Sequence, residues 1–307
     1  MYGASAKIDC ITKSGVGQIF SRDTRIHHVY ELNRRKLPIL LNPGKIQIVL
    51  DSYRNPYDLI INLELGTMFN GLMRLIRAKQ KIGMPYRYFK EPAETHAVEN
   101  LHLIYRSFMP EEVIQYAVPS LQANLDIDLT VKYGLNDKYV VIVASNSHHS
   151  RKSSINHRAW PVEHWKHLLH LLDESNTQAV LIGGKGEQAY FKLLAPLPES
   201  TLSLIGKTGF PELIHLIKHA RAVVTTDTGP SHLAAAVNTP VIALIGPTNY
   251  KRTGPYQTTD NKVEVLNAQL PCSPCYHTER LTNCQDNICM SQILPSQVAE
   301  RIKSYLD

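Results

Sequence analysis

The stretch VVTTDTGPSHLAAAVNTPVIALIGPTNY, residues 223–250, decides the fold. An apolar run ends in Thr225, Thr226, Asp227, Thr228 and Gly229, an alanine-rich segment follows, and a second apolar run closes on Gly246. An uninterrupted apolar run reads as a parallel strand buried on both faces, and ligands of open α/β sheets bind where such strands end. Asp227 therefore projects from a sheet edge. Gly229 lets backbone approach a ligand, Pro230 suits a helix N-terminus, and Ser231 and His232 lie in the first turn, where N–H groups point outward. Such a turn suits a phosphate. The plainer alternative is that Asp227 caps the helix through its side chain. A second strand exit, IGPTNYKRTGPY (245–256), is set beside the first if the two strands are neighbours, which brings Thr248 and Asn249 to the same place.

The alternation of strand and helix extends outward on both sides. Upstream, YVVIVAS (139–145) and QAVLIGG (178–184) are strand-like. Between them Pro161 opens a helix with Val162, Trp165, Leu168, Leu169 and Leu172 on one stripe. A helix from near Pro211 buries Leu213, Leu216, Ile217 and Ala220, and residues 296–306 form an amphipathic terminal helix. In the first half, residues 6–12, 46–54 and 57–64 read as strands, 69–83 as a helix ending near Gly83, and 91–109 as a helix. This is an α/β pattern with parallel sheets. The cluster Gly134, Asn136, Asp137 places the division between two domains there, as 1–134 and 135–307.

Length agrees with two domains, since 307 residues make about two units of ordinary size. Apolar content of 43% and charged content of 20% are those of a globular chain. The net charge of +6 suits an anionic ligand or an anionic membrane surface, although an ordinary soluble surface has a similar excess. The densest basic cluster, ELNRRK (31–36), is too short for a nucleic-acid footprint. The start lacks a signal-peptide core and no apolar run is long enough for a membrane span, so the sequence predicts a cytoplasmic protein. No G-x-G-x-x-G follows the first strand, and GGKGEQ (183–188) lacks the ending of a P-loop, which sets aside dinucleotide oxidoreductases and P-loop NTPases.

Taken together, DTGPSHLAAA followed by PVIALIGPT resembles the donor-site signature of glycosyltransferase family 9, the ADP-heptose:lipopolysaccharide heptosyltransferases. RAWPVEHWKHLL (158–169), YDLIINLE (57–64) with KIGMPYR (81–87), and PCSPCYHTERLTNCQDNICM (271–290) leading to ILPSQVAERI carry the same resemblance. It spans most of the chain and is stronger in the second half. The resemblance implies a GT-B fold, two Rossmann-like domains facing a cleft. The C-terminal domain would hold an ADP-sugar, ADP-heptose by analogy, and the N-terminal domain a lipid-linked oligosaccharide acceptor at the inner face of the cytoplasmic membrane. Asp227 would bond the sugar or its phosphate surroundings, while Thr228, Gly229 and His232 would line the diphosphate and Thr248 would join them. Glu187 matches an acidic position that would take ribose hydroxyls, its alternative being a solvated helix start. The resemblance implies neither metal nor cofactor, and transfer with inversion.

Two departures stand out. Where the family has a lysine before Trp-Pro, this chain has Arg158, which keeps the charge and adds a planar donor fork. The chain starts at what matches the family's second strand, so the N-terminal domain is expected to lack a βα unit of about 25 residues that carries a Gly-Asp loop and the base. Asp9, Asp23 and Glu64 are carboxylates that spacing does not choose among, and the catalytic base stays unassigned. A nucleotide-sugar-binding protein without transfer is the alternative function. Cys272, Cys275, Cys284 and Cys289 form a C-x2-C-x8-C-x4-C pattern; reduced thiols in a packed loop are the expectation, and a structural zinc is the alternative.

Overall fold

A computed structural model describes residues 5–33, 38–64, 66–87, 94–146 and 156–306. It divides into two compact units, Met1–Val118 and Pro119–Asp307. Residues 119–134, expected in the N-terminal domain, go with the C-terminal unit. Leu129 is buried beside Tyr139 and Val141, Leu125 and Tyr133 pack against the same cluster, and the Leu121 N–H donates to the Ala236 carbonyl. Apolar contacts override the turn-forming composition at Gly134, whose left-handed backbone ends the short helix Leu129–Tyr133.

The N-terminal unit holds two parallel pairs, β1 (Ile8–Lys13) with β2 (Ile26–Leu32), and β3 (Tyr57–Ile61) with β4 (Ala78–Ile82). Leu32, Ile48, Leu72 and Ile76 form its core. Two expectations are corrected here. Residues 46–54, expected as a strand, belong to the helix Pro43–Arg54. The Asn42 side chain caps it by accepting from the Lys45 N–H at 3.2 Å, and Lys45, Ile48 and Ser52 fall on one buried face. The β-branched isoleucines suggested period two, but the cap and the burial follow the helical period. Residues 69–83, expected as one helix, split into the helix Asn70–Leu75 and strand β4. The Ala-Lys-Gln-Lys run is a good helix former in isolation, yet it pairs with β3 from Tyr57↔Ala78 to Ile61↔Ile82.

The C-terminal unit is built on one parallel sheet of β5 (Tyr139–Val143), β6 (Gln178–Leu181), β7 (Thr201–Ser203), β8 (Ala222–Thr226), β9 (Val241–Leu244) and β10 (Val263–Leu266). Their order is β10-β9-β8-β5-β6-β7. The chain thus starts in the middle, winds outward through β6 and β7, then returns to β8 on the other side of β5. Strand order reverses between β5 and β8, the topological switch point of a doubly wound sheet.

Both faces of the sheet are covered, which is why its central strands are apolar without alternation. Val140, Ile142, Val224 and Ile242 face one core with Trp165, Leu168, Leu169, Val298 and Ile302, from the helices Val162–Glu174 and Pro295–Lys303. Val141, Val143, Val223 and Val241 face the other with Leu216, Ile217 and Ala234, from Phe210–His219 and Gly229–Ala236. Trp160 is 1% exposed, packs edge-on against Trp165 at 4.7 Å and donates its indole N–H to the Ile293 carbonyl at 2.9 Å. That anchor fixes the backbone two residues after Arg158.

At the end of β4, Gly83 has φ +87°, and a Cβ there would lie 2.2 Å from the Asn62 carbonyl oxygen at the end of β3. Gly83→Ala is expected to destabilise the N-terminal unit by at least ~2 kcal/mol through strain and clash together. Denaturant unfolding followed by circular dichroism checks this; an unchanged midpoint would contradict the close approach.

Candidate functional site

At the switch point the exits of β5, β8 and β9 converge, and they carry the polar groups expected from sequence. The registers Thr225↔Ala243 and Thr226↔Leu244 make β8 and β9 direct neighbours. The Thr248 hydroxyl consequently reaches the Asp227 carboxylate, donating to Oδ2 at 2.9 Å. From the segment that leads into the helix Val162–Glu174, Arg158 donates through Nη1 to the same Oδ2 and to the Asp227 carbonyl, both at 3.2 Å. The two side chains are only 17% and 12% exposed. Little solvent screens this pair, so it is held more firmly than a surface ion pair.

The helix Gly229–Ala236 begins immediately after Asp227. Its N-cap is Thr228, whose side chain makes no capping hydrogen bond. The Asp227 side chain is thus engaged with Arg158 and Thr248, and the N-cap position belongs to Thr228. Thr228 instead bonds the Thr225 hydroxyl at 2.9 Å. Among the described residues no atom lies within 4 Å of where a Gly229 Cβ would stand, so the backbone is open to approach on that side. His232 is exposed in the same turn. In the first turn Pro230 has no N–H and the Ser231 N–H donates to the Thr228 carbonyl at 3.1 Å, so the Gly229 N–H at the helix start, next to a guanidinium, forms an electropositive corner beside a carboxylate.

Unspent hydrogen-bonding capacity gathers here. Among the described residues, Arg158 Nε, Ser145 Oγ and Thr226 Oγ1 are buried without a partner. The β5–β8 register pairs Val143 with Thr225, and continuing it places Ser145 level with Asp227. Buried polar groups are ordinarily satisfied, so several unsatisfied ones at these strand ends make this the candidate site.

Glu187 stands apart from this group, after β6. Its carboxylate accepts from the Gly184 N–H at 2.7 Å and so closes the turn Lys185–Glu187, the helix-start arrangement. Of the three carboxylates left open by spacing, Asp9 bonds His27 and accepts from the Tyr57 hydroxyl at 2.8 Å near the amino end of β1. Asp23 is buried against Arg25, and Glu64 is exposed beyond the carboxyl end of β3.

The four clustered cysteines are free thiols, Cys275 and Cys289 buried. Burial, reinforced by the neighbouring cysteines, pushes the Cys289 thiol up to about 11 and raises that of Cys275. Both are thus protonated near neutrality and pack as small apolar side chains. Among the described residues no three of His, Cys, Asp and Glu gather where they could hold a metal ion.

Sequence reasoning missed two members of the site. Ser145 closes the apolar run of β5 much as Asp227 follows that of β8, a signal that was present at the strand end. Tyr276 lies under Arg158, with the guanidinium carbon 5.4 Å from the ring centroid. It was hidden behind the cysteine spacing that surrounds it.

Comparison with known proteins gives this geometry a family. The model for glycosyltransferase family 9 (heptosyltransferase) matches residues 53–285, more than half of the chain. Lipopolysaccharide heptosyltransferase 3 of Escherichia coli K12 is 26% identical over 292 residues, covering 89% of this chain and 82% of that protein. Among solved structures, a family 9 glycosyltransferase from Veillonella parvula superposes with a TM-score of 0.77 at 16% identity, over 98% of this chain and 88% of its own. The E. coli heptosyltransferase WaaC with ADP superposes at 0.68 and 19% identity, over 97% and 90%. The fold is accordingly GT-B, as the sequence resemblance implied. With a doubly wound sheet that carries polar groups at its switch point, and with the family model matching more than half of its length, the chain belongs to glycosyltransferase family 9, the heptosyltransferases.

Proposed function

We propose that the chain transfers heptose from ADP-heptose to the inner core of lipopolysaccharide with inversion, the C-terminal unit holding the donor and the N-terminal unit the acceptor. The observation that carries this reading is the Arg158–Asp227–Thr248 group, whose buried Arg158 Nε is unspent beside an uncapped helix start. A diphosphate satisfies both features at once, taking the Arg158 Nε–H and the first-turn N–H groups at Thr228 and Gly229. The relative solved with ADP supports the nucleotide, and the curated relative's name supports the acceptor class.

The chemistry follows from the placement. The acceptor hydroxyl attacks the anomeric carbon from the face opposite the diphosphate, the bond to the diphosphate oxygen breaks, and the hydroxyl proton leaves to a base. Charge develops on the departing diphosphate, where Arg158 and the helix N–H groups stabilise it more in the transition state than in the bound donor. Asp227 holds the Arg158 Nη1 corner and offers its carboxylate edge to sugar hydroxyls. His232 borders the diphosphate. Glu187, with one oxygen engaged by Gly184, keeps the other for a ribose hydroxyl.

Contact with an anionic membrane is part of the same proposal. The N-terminal unit has sixteen basic and eleven acidic residues, so it carries five of the six net positive charges of the chain. In its turn Ile39–Leu41, Leu40 is 85% and Leu41 65% exposed, and Arg34, Arg35 and Lys36 precede them in sequence, outside the described residues. Exposed leucines that follow basic residues in sequence suit a headgroup interface. No helix among the described residues is long and apolar enough to cross a membrane.

Two measurements test these points. Arg158→Ala is expected to weaken ADP binding by ~1.5–3 kcal/mol in calorimetric titration, the scale of a charged hydrogen bond. Asp227→Ala should lower transfer from ADP-heptose to heptose-deficient lipopolysaccharide by about 100-fold or more. Unchanged ADP affinity and unchanged transfer would remove both residues from the donor site. Replacing Leu40 and Leu41 together by Asp is expected to reduce sedimentation with vesicles containing anionic phospholipid while leaving ADP affinity intact; undiminished sedimentation would remove this turn from the membrane contact.

A further inference from the structure

The cysteine-rich segment 271–290 is the one sequence motif that the donor chemistry leaves unused, and its contacts are specific. Its first part is bound to the exit of β9. The Ser273 hydroxyl donates to the Gly246 carbonyl, and the Cys275 and Tyr276 N–H groups both donate to the Pro247 carbonyl at 2.9 Å. Its second part is bound to the segment that leads into the helix Val162–Glu174. The Cys284 carbonyl meets His157 Nε2 at 3.0 Å, and the Asn287 amide donates to the Ala159 carbonyl at 3.3 Å. Cys289 and Met290 fill the space at Gly246, where an added Cβ would lie 2.7 Å from either sulfur. The segment therefore straps together the loop that carries Thr248 and the loop that carries Arg158.

Tyr276 sits at the middle of this strap with its ring beneath the Arg158 guanidinium. Of the guanidinium's donors, Nη1 is spent on Asp227 and Nε is buried without a partner among the described residues. An arginine side chain has several rotatable bonds, and a single bonded corner leaves the plane free to swing about it. A ring packed on one face removes that freedom and adds cation–π attraction. We infer that Tyr276 is a positioning residue: its ring holds the Arg158 guanidinium, already anchored on Asp227, in the plane that presents Nε to a donor phosphate, and the cysteine-rich segment exists to seat that ring. The inference rests on the donor-site reading proposed above.

It also gives the Arg158 departure a physical sense. A lysine ammonium is a point charge that needs no plane set for it, whereas a guanidinium delivers its fork only in one orientation. The ring, not the phenolic hydroxyl, is the part that acts.

Titration of the full chain with ADP tests this with Tyr276→Ala, Tyr276→Leu and Tyr276→Phe, each made alone and with Arg158→Ala, after thermal melting has shown which are folded. Tyr276→Ala is expected to weaken ADP about 3- to 30-fold, the range of a partly buried cation–π contact. Tyr276→Phe should stay within about twofold because the ring is kept. Tyr276→Leu, which preserves apolar packing, should resemble Tyr276→Ala and serves if the alanine variant does not fold. In the Arg158→Ala background none of the three should weaken ADP further. Equal losses in both backgrounds would mean that the ring touches the nucleotide itself, and would overturn the positioning role while leaving the donor site in place. Loss in Tyr276→Phe equal to that in Tyr276→Ala would overturn it in favour of the hydroxyl. Undiminished ADP affinity in Arg158→Ala would overturn the donor reading and the role of Tyr276 with it.

Discussion

The Arg158–Asp227 pair is the constraint on which the site depends. It joins the segment leading into the helix Val162–Glu174 to the exit of β8, beside the point where the strand order of the parallel sheet reverses. Its 17% and 12% exposures mean that each charge relies on the other and on polar neighbours, not on water. Thr248 supplies one such neighbour from β9, and the first turn of the helix Gly229–Ala236 contributes partial positive charge beside it. The carboxylate at the end of a buried strand thus meets an arginine from the segment that precedes the helix Val162–Glu174.

Rigidity around the pair comes from the core beneath it. Trp160 is buried and bonded to the Ile293 carbonyl, which ties the backbone just after Arg158 to the approach of the terminal helix Pro295–Lys303. On the other side, β8 is buried throughout, so Asp227 leaves a strand that has no freedom to shift. Placing functional groups on ends of fully buried strands is a general way to keep them within a fraction of an ångström of working geometry.

Much of the C-terminal unit was legible in its sequence because burial on both faces writes an unmistakable pattern. β5 and β9 are unbroken apolar runs and β8 opens as one, and within two residues of each run's end polar or glycine residues take over. The edge strands β7 and β10 escaped notice, being short and only half buried. In the N-terminal unit the pattern is weaker. Two-stranded pairs bury less, β2 carries two consecutive exposed histidines, and residues 46–54 read as a strand where the Asn42 cap and Pro43 start a helix. Of the candidate site, Asp227 and Thr248 were legible because neighbouring strand exits must meet, and Arg158 through the family resemblance of the stretch before Trp-Pro. Tyr276 was not, since its contact is made by a loop that returns from far along the chain and whose spacing of cysteines draws attention to sulfur chemistry instead.

The central claim is that a nucleoside diphosphate sits at the switch point, and a crystal structure of the chain with ADP tests it most directly. The account predicts the diphosphate at the first turn of the Gly229–Ala236 helix, with a phosphate oxygen on Arg158 Nε and Asp227 still holding Nη1. ADP bound away from the ends of β5 and β8, or bound there with Arg158 turned from the phosphates, would contradict it.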